Sequence, residues 1–306
     1  MSASLSTSSG SFRRITEAVF FGNYFYGLCA VGLAVEAGLQ QRVPLQPWTY
    51  YAALFLGTVV YYTHAYRWNA AVDAPDPRAR WYAQNRRAIG LVQVLLTVLA
   101  GLLGWMALRD ASFARASFTA THVGLLALFP LAGAAYYGLG TFDLRSVGWM
   151  KPFLIGFVWA GVVTVYPAVF ANAMDRLYPF PTRIGSLLFL KNLMFIGMLC
   201  VLFDIKDLRA DRRAELRTFI VQHGLRRTLF RFVLPLVLVG FVTFLLYATT
   251  HGFSFWKIAL NAVPFLLLIA VAYALRRRRP LLYYLVVVDG LMLVKAVCGI
   301  VAMRYF

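Results

Sequence analysis

Nine blocks of apolar residues, most of them about 18 to 25 residues long, constrain this chain more than any other feature. An α-helix rises ~1.5 Å per residue, so about 20 apolar residues cross a ~30 Å hydrocarbon layer. The blocks fall near residues 15–37, 48–66, 88–108, 118–137, 152–170, 184–203, 232–247, 253–275 and 281–303, and the connections between them are short and rich in Arg. The seventh block is the shortest and contains Pro235, which leaves its start open by several residues. Only 14% of the residues are charged against 61% hydrophobic, too little polar surface for a soluble domain of 306 residues. The expected fold is an all-α polytopic membrane protein, a single transmembrane domain over 1–306, with about nine transmembrane helices bundled around a central cavity. Residues 1–12 are expected to form a flexible tail; they are Ser-rich, without the basic and apolar regions of a cleavable signal, so the first block is expected to be retained.

A net charge of +18 would also suit a nucleic-acid binder, but the basic residues sit between the apolar blocks, where membrane topology puts them. With the N-terminus placed in the cytoplasm, 21 of the 30 Lys and Arg residues fall in inside segments and six in outside ones. The split predicts a cytoplasmic N-terminus and a C-terminus on the opposite face; a bacterial inner membrane is the expected setting, and no nucleic-acid partner is expected. Cys29, Cys200 and Cys298 each lie inside an apolar block without CxxC spacing, which reads as three small buried hydrophobes rather than a disulfide or metal framework.

The two longest inside connections follow the second and sixth blocks, and they carry acids. After the sixth block comes Asp204-Ile205-Lys206-Asp207-Leu208-Arg209-Ala210-Asp211-Arg212-Arg213. The i, i+3, i+7 spacing of Asp204, Asp207 and Asp211 predicts one helical face for all three carboxylates. Such stacked charge calls for a cation, either nearby Arg side chains or a divalent ion such as Mg²⁺, whose hard oxygen ligands commonly include substrate phosphate. After the second block, Asn69 and Asp73 stand one turn apart, and Asp76 belongs to a turn between Pro75 and Pro77. These are also ordinary helix-exit residues. Both clusters lie at one membrane face, so in a bundle they could confront each other and hold a diphosphate through Mg²⁺, with Lys and Arg on its oxygens.

In these segments the chain resembles the UbiA superfamily of intramembrane prenyltransferases. The run from Asp204 to Arg213 is similar to that family's second Asp-rich motif in spacing and flanks. The segment 142–167, with Leu144-Arg145, Lys151 and Trp159, is similar to the family's fourth loop and fifth helix. The helix count and the placing of both motifs extend the likeness over nearly the whole chain. The resemblance implies Mg²⁺-dependent transfer of a prenyl group from an isoprenoid diphosphate to a lipophilic, aromatic acceptor within the bilayer. It implies metal and diphosphate roles for Asp204, Asp207 and Asp211, a similar role for Asn69 and Asp73, and diphosphate contact for Lys151, with Arg78 and Lys206 as further basic candidates. The first motif departs from the family pattern Asn-Asp-x-x-Asp-x-x-x-Asp: Ala70 and Pro77 stand where two acids belong, and Asp76 is one residue early.

Ionisable residues inside apolar blocks are costly and ask for a partner or a function. Asp289 with Lys191 or Lys295 reads either as a buried ion pair or as part of a polar acceptor pocket, which would also include Asn23 and His64. Two other readings stay open: an altered family member that binds a lipid diphosphate or a membrane partner without catalysis, and a small transporter using Lys191, Asp289 and Lys295.

Overall fold

The structure is a computed structural model, and it describes residues 14–67, 72, 76–109, 116–137, 148–213, 215–277 and 279–306. The expected tail at 1–12 lies outside the described residues, as do Asn69 and Asp73. Among the described residues all regular structure is helical. In chain order the helices are α1 (Arg14–Phe21), α2 (Tyr24–Gln40), α3 (Trp48–Arg67), α4 (Pro77–Gln84), α5 (Arg86–Arg109) and α6 (Ala120–Tyr137). They continue as α7 (Lys151–Met174), α8 (Arg183–Phe203), α9 (Leu208–Arg213), α10 (Phe219–His223), α11 (Leu225–Thr250), α12 (Phe255–Ala274) and α13 (Leu281–Tyr305).

Every expected block holds a helix, and six helices are long and apolar enough to cross a bilayer by themselves. A seventh span arises if α1 and α2, bent by 55°, are taken together, while α6 is a shorter apolar helix. Large apolar side chains point away from the protein on these helices: Leu91, Val94, Leu95 and Leu102 of α5 are all exposed. A soluble protein would not present such a stripe to water; facing lipid tails, it costs nothing. The protein is an integral, multi-pass membrane protein.

Local chemistry explains the helix boundaries. Thr182 starts α8 by accepting from the Gly185 N–H at 2.9 Å, and Ser254 starts α12 by accepting from Lys257 N–H at 3.3 Å. Asp76, expected in a turn, caps α4: its carboxylate accepts from Arg78 N–H at 3.1 Å, and Pro77 takes the first helical position. The seventh span starts at Leu225, earlier than the expected 232. Pro235 lacks an N–H and its ring crowds the carbonyl four residues back, and the chain answers with a π-helical stretch over Thr228–Val233 instead of ending the helix. Gly161–Val165 is π-helical ahead of Pro167 in the same manner.

The helices form two compact units. One contains residues Met1–Val31 and Gln46–Arg115, and the other Gly32–Leu45 and Ala116–Phe306, so that α2 is divided between Val31 and Gly32. In the first unit α3 packs along α5, and Gln93 donates to the Val60 carbonyl at 2.8 Å. In the second, α7 and α8 make the most extensive helix contact and α12 packs on α13. Small residues permit the first of these: a Cβ at Gly156 would lie 2.8 Å from the Leu193 carbonyl oxygen and 3.2 Å from Gly197 N. Backbones can approach this closely in a membrane only where both helices lack bulk. Gly156→Val is expected to force α7 from α8 and destabilise the protein by about 1–3 kcal/mol, seen as a lower midpoint in thermal unfolding of the detergent-solubilised protein.

Candidate functional site

In the second unit the acidic run does not continue α8 as a regular helix. Asp204 N–H still bonds the Cys200 carbonyl, but Ile205, Lys206 and Asp207 donate to residues three back, at 3.3, 3.2 and 3.1 Å, before Asp211 resumes the four-back pattern with Asp207 at 2.9 Å. The turn is wound tighter than an α-helix, which brings residues i and i+3 toward eclipse and so aligns Asp204 with Asp207. The expected single α-helical face is thus replaced by a tight turn and the short helix α9.

Asp204 is buried, and its Oδ1 lies 2.5 Å from Lys151 Nζ. Lys151 occupies the first position of α7, where the helix dipole disfavours a cation. The pairing accounts for its place there, and the glycine contact between α7 and α8 allows the approach. Burial raises the Asp204 carboxyl above its usual range, and the Lys151 ammonium acts against that. Asp207, more exposed, is gripped through both oxygens by its neighbour Lys206 at 2.6 and 2.7 Å. Asp211 is the unsatisfied member: its Oδ2 is buried without a hydrogen-bond partner. Its carboxyl is raised to about 6, chiefly by burial, with the charges of Asp204 and Asp207 adding and those of Lys151 and Lys206 opposing.

Among the described residues no three acidic, His or Cys groups stand together as a metal site. What the acidic turn offers a cation is a single free donor, the Oδ2 of Asp211, a hard carboxylate oxygen that is buried and lacks a hydrogen-bond partner. Lys151 and Lys206 hold the cationic positions beside the other two.

The first unit gives Asn23 and Arg78 a different setting from those expected. Asn23 sits at the break between α1 and α2 with φ 65°, a left-handed conformation that Asn tolerates better than most residues. Its amide donates to Thr63 Oγ1 at 3.0 Å and to Tyr82 Oη at 2.8 Å, and Tyr82 donates to the Phe21 carbonyl at 2.8 Å. Arg78, on α4, is fully buried; it donates to Asn23 Oδ1 and to the carbonyls of Phe20 and Phe21 at 3.5 and 3.4 Å, with its guanidinium carbon 3.6 Å from the Tyr66 ring centroid. Carbonyls at the end of a helix need donors, and Arg78 supplies them where α1 stops. Its positive charge is favoured by the surrounding tyrosines despite burial, which holds the guanidinium above its ordinary range. Burial raises the Tyr82 phenol too, with Arg78 opposing. His64 lies on α3 and is exposed.

The charged residues within the second unit's spans are organised by an acid that sequence reading did not select. Glu36, on α2, is buried; Lys295 Nζ lies 2.5 Å from its Oε2 and Lys191 Nζ 3.8 Å from its Oε1. Lys191 also donates to Gln40 Oε1 at 2.9 Å. The pairing of these lysines with Asp289 considered above is therefore corrected to Glu36; Asp289 is buried at the start of the last α-helical stretch of α13. The signal was present in the sequence, but Glu36 lies next to the end of the 15–37 block, where an acid passes for a loop residue. The helix runs on to Gln40 and carries Glu36 inward. A Cβ at Gly299 would stand 2.6 Å from Glu36 Oε1, so α13 admits the carboxylate only because that residue is glycine.

No family model matches the chain, and no curated protein matches it. A solved structure of digeranylgeranylglyceryl phosphate synthase in membranes does, with a TM-score of 0.53 and 13% identity, covering 96% of this chain and 100% of that one. The two chains share a fold. It is the fold that the UbiA resemblance implies, and at 13% identity the likeness bears on architecture alone.

Glu36→Gln would leave two lysine ammonium groups in the apolar interior without a counter-charge. The expected loss is about 3–5 kcal/mol, read as a drop in the thermal unfolding midpoint in lipid nanodiscs, with the double variant Glu36→Gln/Lys295→Met recovering a large part of it. Equal midpoints for all three proteins would contradict the pairing.

Proposed function

We propose that this protein is an intramembrane prenyltransferase that moves a prenyl group from an isoprenoid diphosphate to a lipophilic, aromatic acceptor. The observation that carries the reading is the Lys151–Asp204 pair beside the unsatisfied oxygen of Asp211, in a fold shared with digeranylgeranylglyceryl phosphate synthase. The membrane fold supports prenyl transfer in general. The aromatic acceptor, the metal and the residue roles belong to this proposal, as do the cytoplasmic N-terminus and the bacterial inner membrane.

In the reaction, the C–O bond between the prenyl C1 and the diphosphate breaks and the electron pair leaves with the diphosphate. The electron-rich acceptor then forms the new bond to C1 and loses a proton. Mg²⁺ would supply Lewis-acid stabilisation of the diphosphate, with the unpartnered Oδ2 of Asp211 as its free protein ligand and with Asp204 and Asp207, which lysines neutralise, reaching it only by giving up those pairs. Lys151, fixed by Asp204, offers its remaining N–H donors to the departing oxygens, and Lys206 adds a second ammonium at the turn. The buried surroundings of Asp204 strengthen each of these contacts relative to water. Arg78 acts in this reading through the break it stabilises between α1 and α2, rather than on the diphosphate. Asn69 and Asp73 keep their place as metal-binding candidates from the first motif.

A second reading, binding of a lipid diphosphate without transfer, is favoured by Ala70 and Pro77 standing in place of acids and by lysines already neutralising Asp204 and Asp207. Labelled farnesyl or geranylgeranyl diphosphate, Mg²⁺ and a panel of quinone precursors separate the two. The transferase releases diphosphate and labels an acceptor; Asp204→Asn or Lys151→Met reduces release by about a hundredfold or more, while Lys151→Arg retains turnover. Tight binding without release by the wild-type protein establishes the second reading instead.

The acid limb of the rate gives a further check. Asp211 must be ionised to act on a cation, and its carboxyl is raised to about 6, so activity is full above that pH and declines as the pH falls through it. In Asp211→Asn the limb near pH 6 should be absent from the residual rate; an unchanged limb would assign it to another group.

A further inference from the structure

Between Glu215 and Asp289 the sequence contains no acidic residue, yet it carries Arg217, Arg226, Arg227, Arg231, Lys257 and the run of four arginines from Arg276. Two of these arginines meet in space. Leu225 opens α11 and Ala274 closes α12, and the two helices pack as a hairpin that turns at His251-Gly252, so the start of one span and the end of the next lie at one membrane face. There a cleft of about 300 Å³ is lined by Leu225, Arg226, Leu229, Phe230 and Arg276.

Its chemistry is divided. Leu229 is buried and Phe230 exposed, which makes an apolar wall on the first turns of α11, while Arg226 and Arg276 are both exposed. Arg276 is already positioned: its guanidinium carbon stands 3.3 Å from the Tyr273 ring centroid, and its Nε donates to the Tyr273 carbonyl at 3.1 Å. That fixes the guanidinium plane and leaves the two terminal nitrogens as a fork suited to phosphate oxygens. Among the described residues neither Arg226 nor Arg276 makes an ion pair, and the sequence has no acid between Glu215 and Asp289.

We propose that this cleft is a binding site for an anionic phospholipid, with the headgroup phosphate between Arg226 and Arg276 and an acyl chain along Leu229 and Phe230. The site stands at the ends of two spans, the depth at which phospholipid phosphates lie. A soluble phosphate has no use for the apolar wall. A zwitterionic lipid would bring its ammonium beside two arginines with no acid to receive it, whereas a phosphatidylglycerol headgroup brings no cation. The site is independent of the acidic turn after α8 and of the reaction proposed for it.

The test uses the full-length protein in nanodiscs of phosphatidylcholine, with and without phosphatidylglycerol, and native mass spectrometry of the lipids retained on extraction. Wild-type protein is expected to retain phosphatidylglycerol over phosphatidylcholine and to unfold at a higher temperature in its presence. At roughly 1 kcal/mol per basic residue near the surface, Arg226→Gln or Arg276→Gln weakens retention about fivefold and the double variant about thirtyfold. Arg183→Gln, an exposed arginine at the end of another span, serves as the control and leaves retention unchanged. The pair Arg226→Lys/Arg276→Lys keeps the charge and retains most of the lipid, which separates lost anion binding from lost structure. The proposal is overturned if the double Gln variant holds phosphatidylglycerol as wild type does, if Arg183→Gln loses as much, if the Lys pair loses as much as the Gln pair, or if inorganic phosphate in phosphatidylcholine discs reproduces the stabilisation.

Discussion

A charge placed in hydrocarbon must find its opposite, and this requirement fixes how the helices of the second unit are joined. Glu36 of α2 meets Lys295 of α13 and Lys191 of α8, so one carboxylate ties three helices that are far apart in sequence. Lys151 of α7 meets Asp204 at the end of α8 in the same way. Hydrophobic burial cannot drive helices together where the solvent is itself apolar. Specific pairs and close backbone contacts do that work here, and glycine appears where each pair needs room: Gly156 and Gly197 between α7 and α8, Gly299 beside Glu36.

The two ion clusters differ in what they leave open. Along α8, Lys191 and Asp204 are 13 residues apart, roughly 20 Å at 1.5 Å per residue. Around Glu36 both carboxylate oxygens have a lysine partner, and Glu36 and Lys295 are buried, as suits a structural tie. Around Asp204 the chain leaves α-helical geometry, the acids crowd one another, and Asp211 retains an oxygen with no partner. In the proposal, that unspent binding capacity marks the place that receives a ligand. The prenyl-transfer reading rests on this contrast.

Arg78 shows how a basic residue near an expected site can be spent on architecture. Its guanidinium closes the end of α1, stacks on Tyr66 and meets Asn23 in a left-handed conformation. Arg78 was expected as a diphosphate ligand because it follows the first acidic cluster, and Asn23 as an acceptor-pocket residue because the family resemblance suggested an Asn there. What they have in common is the break between α1 and α2, which no periodicity announces.

The membrane class, the approximate positions of all nine helical blocks and the acidic run after the sixth were legible in the sequence, because each depends on composition within a segment the length of one helix. Pro235 misled only the start of the seventh span, since a π-helical stretch can absorb a proline that an α-helix cannot. Partner choice was not legible. Whether Lys295 met Asp289 or Glu36 depended on which helix packed against α13, and whether Asp204 met Lys151 depended on α7 packing against α8. Local propensity sets where a helix forms, whereas the pairing of charges is decided by the distance between helices, which only the tertiary structure determines.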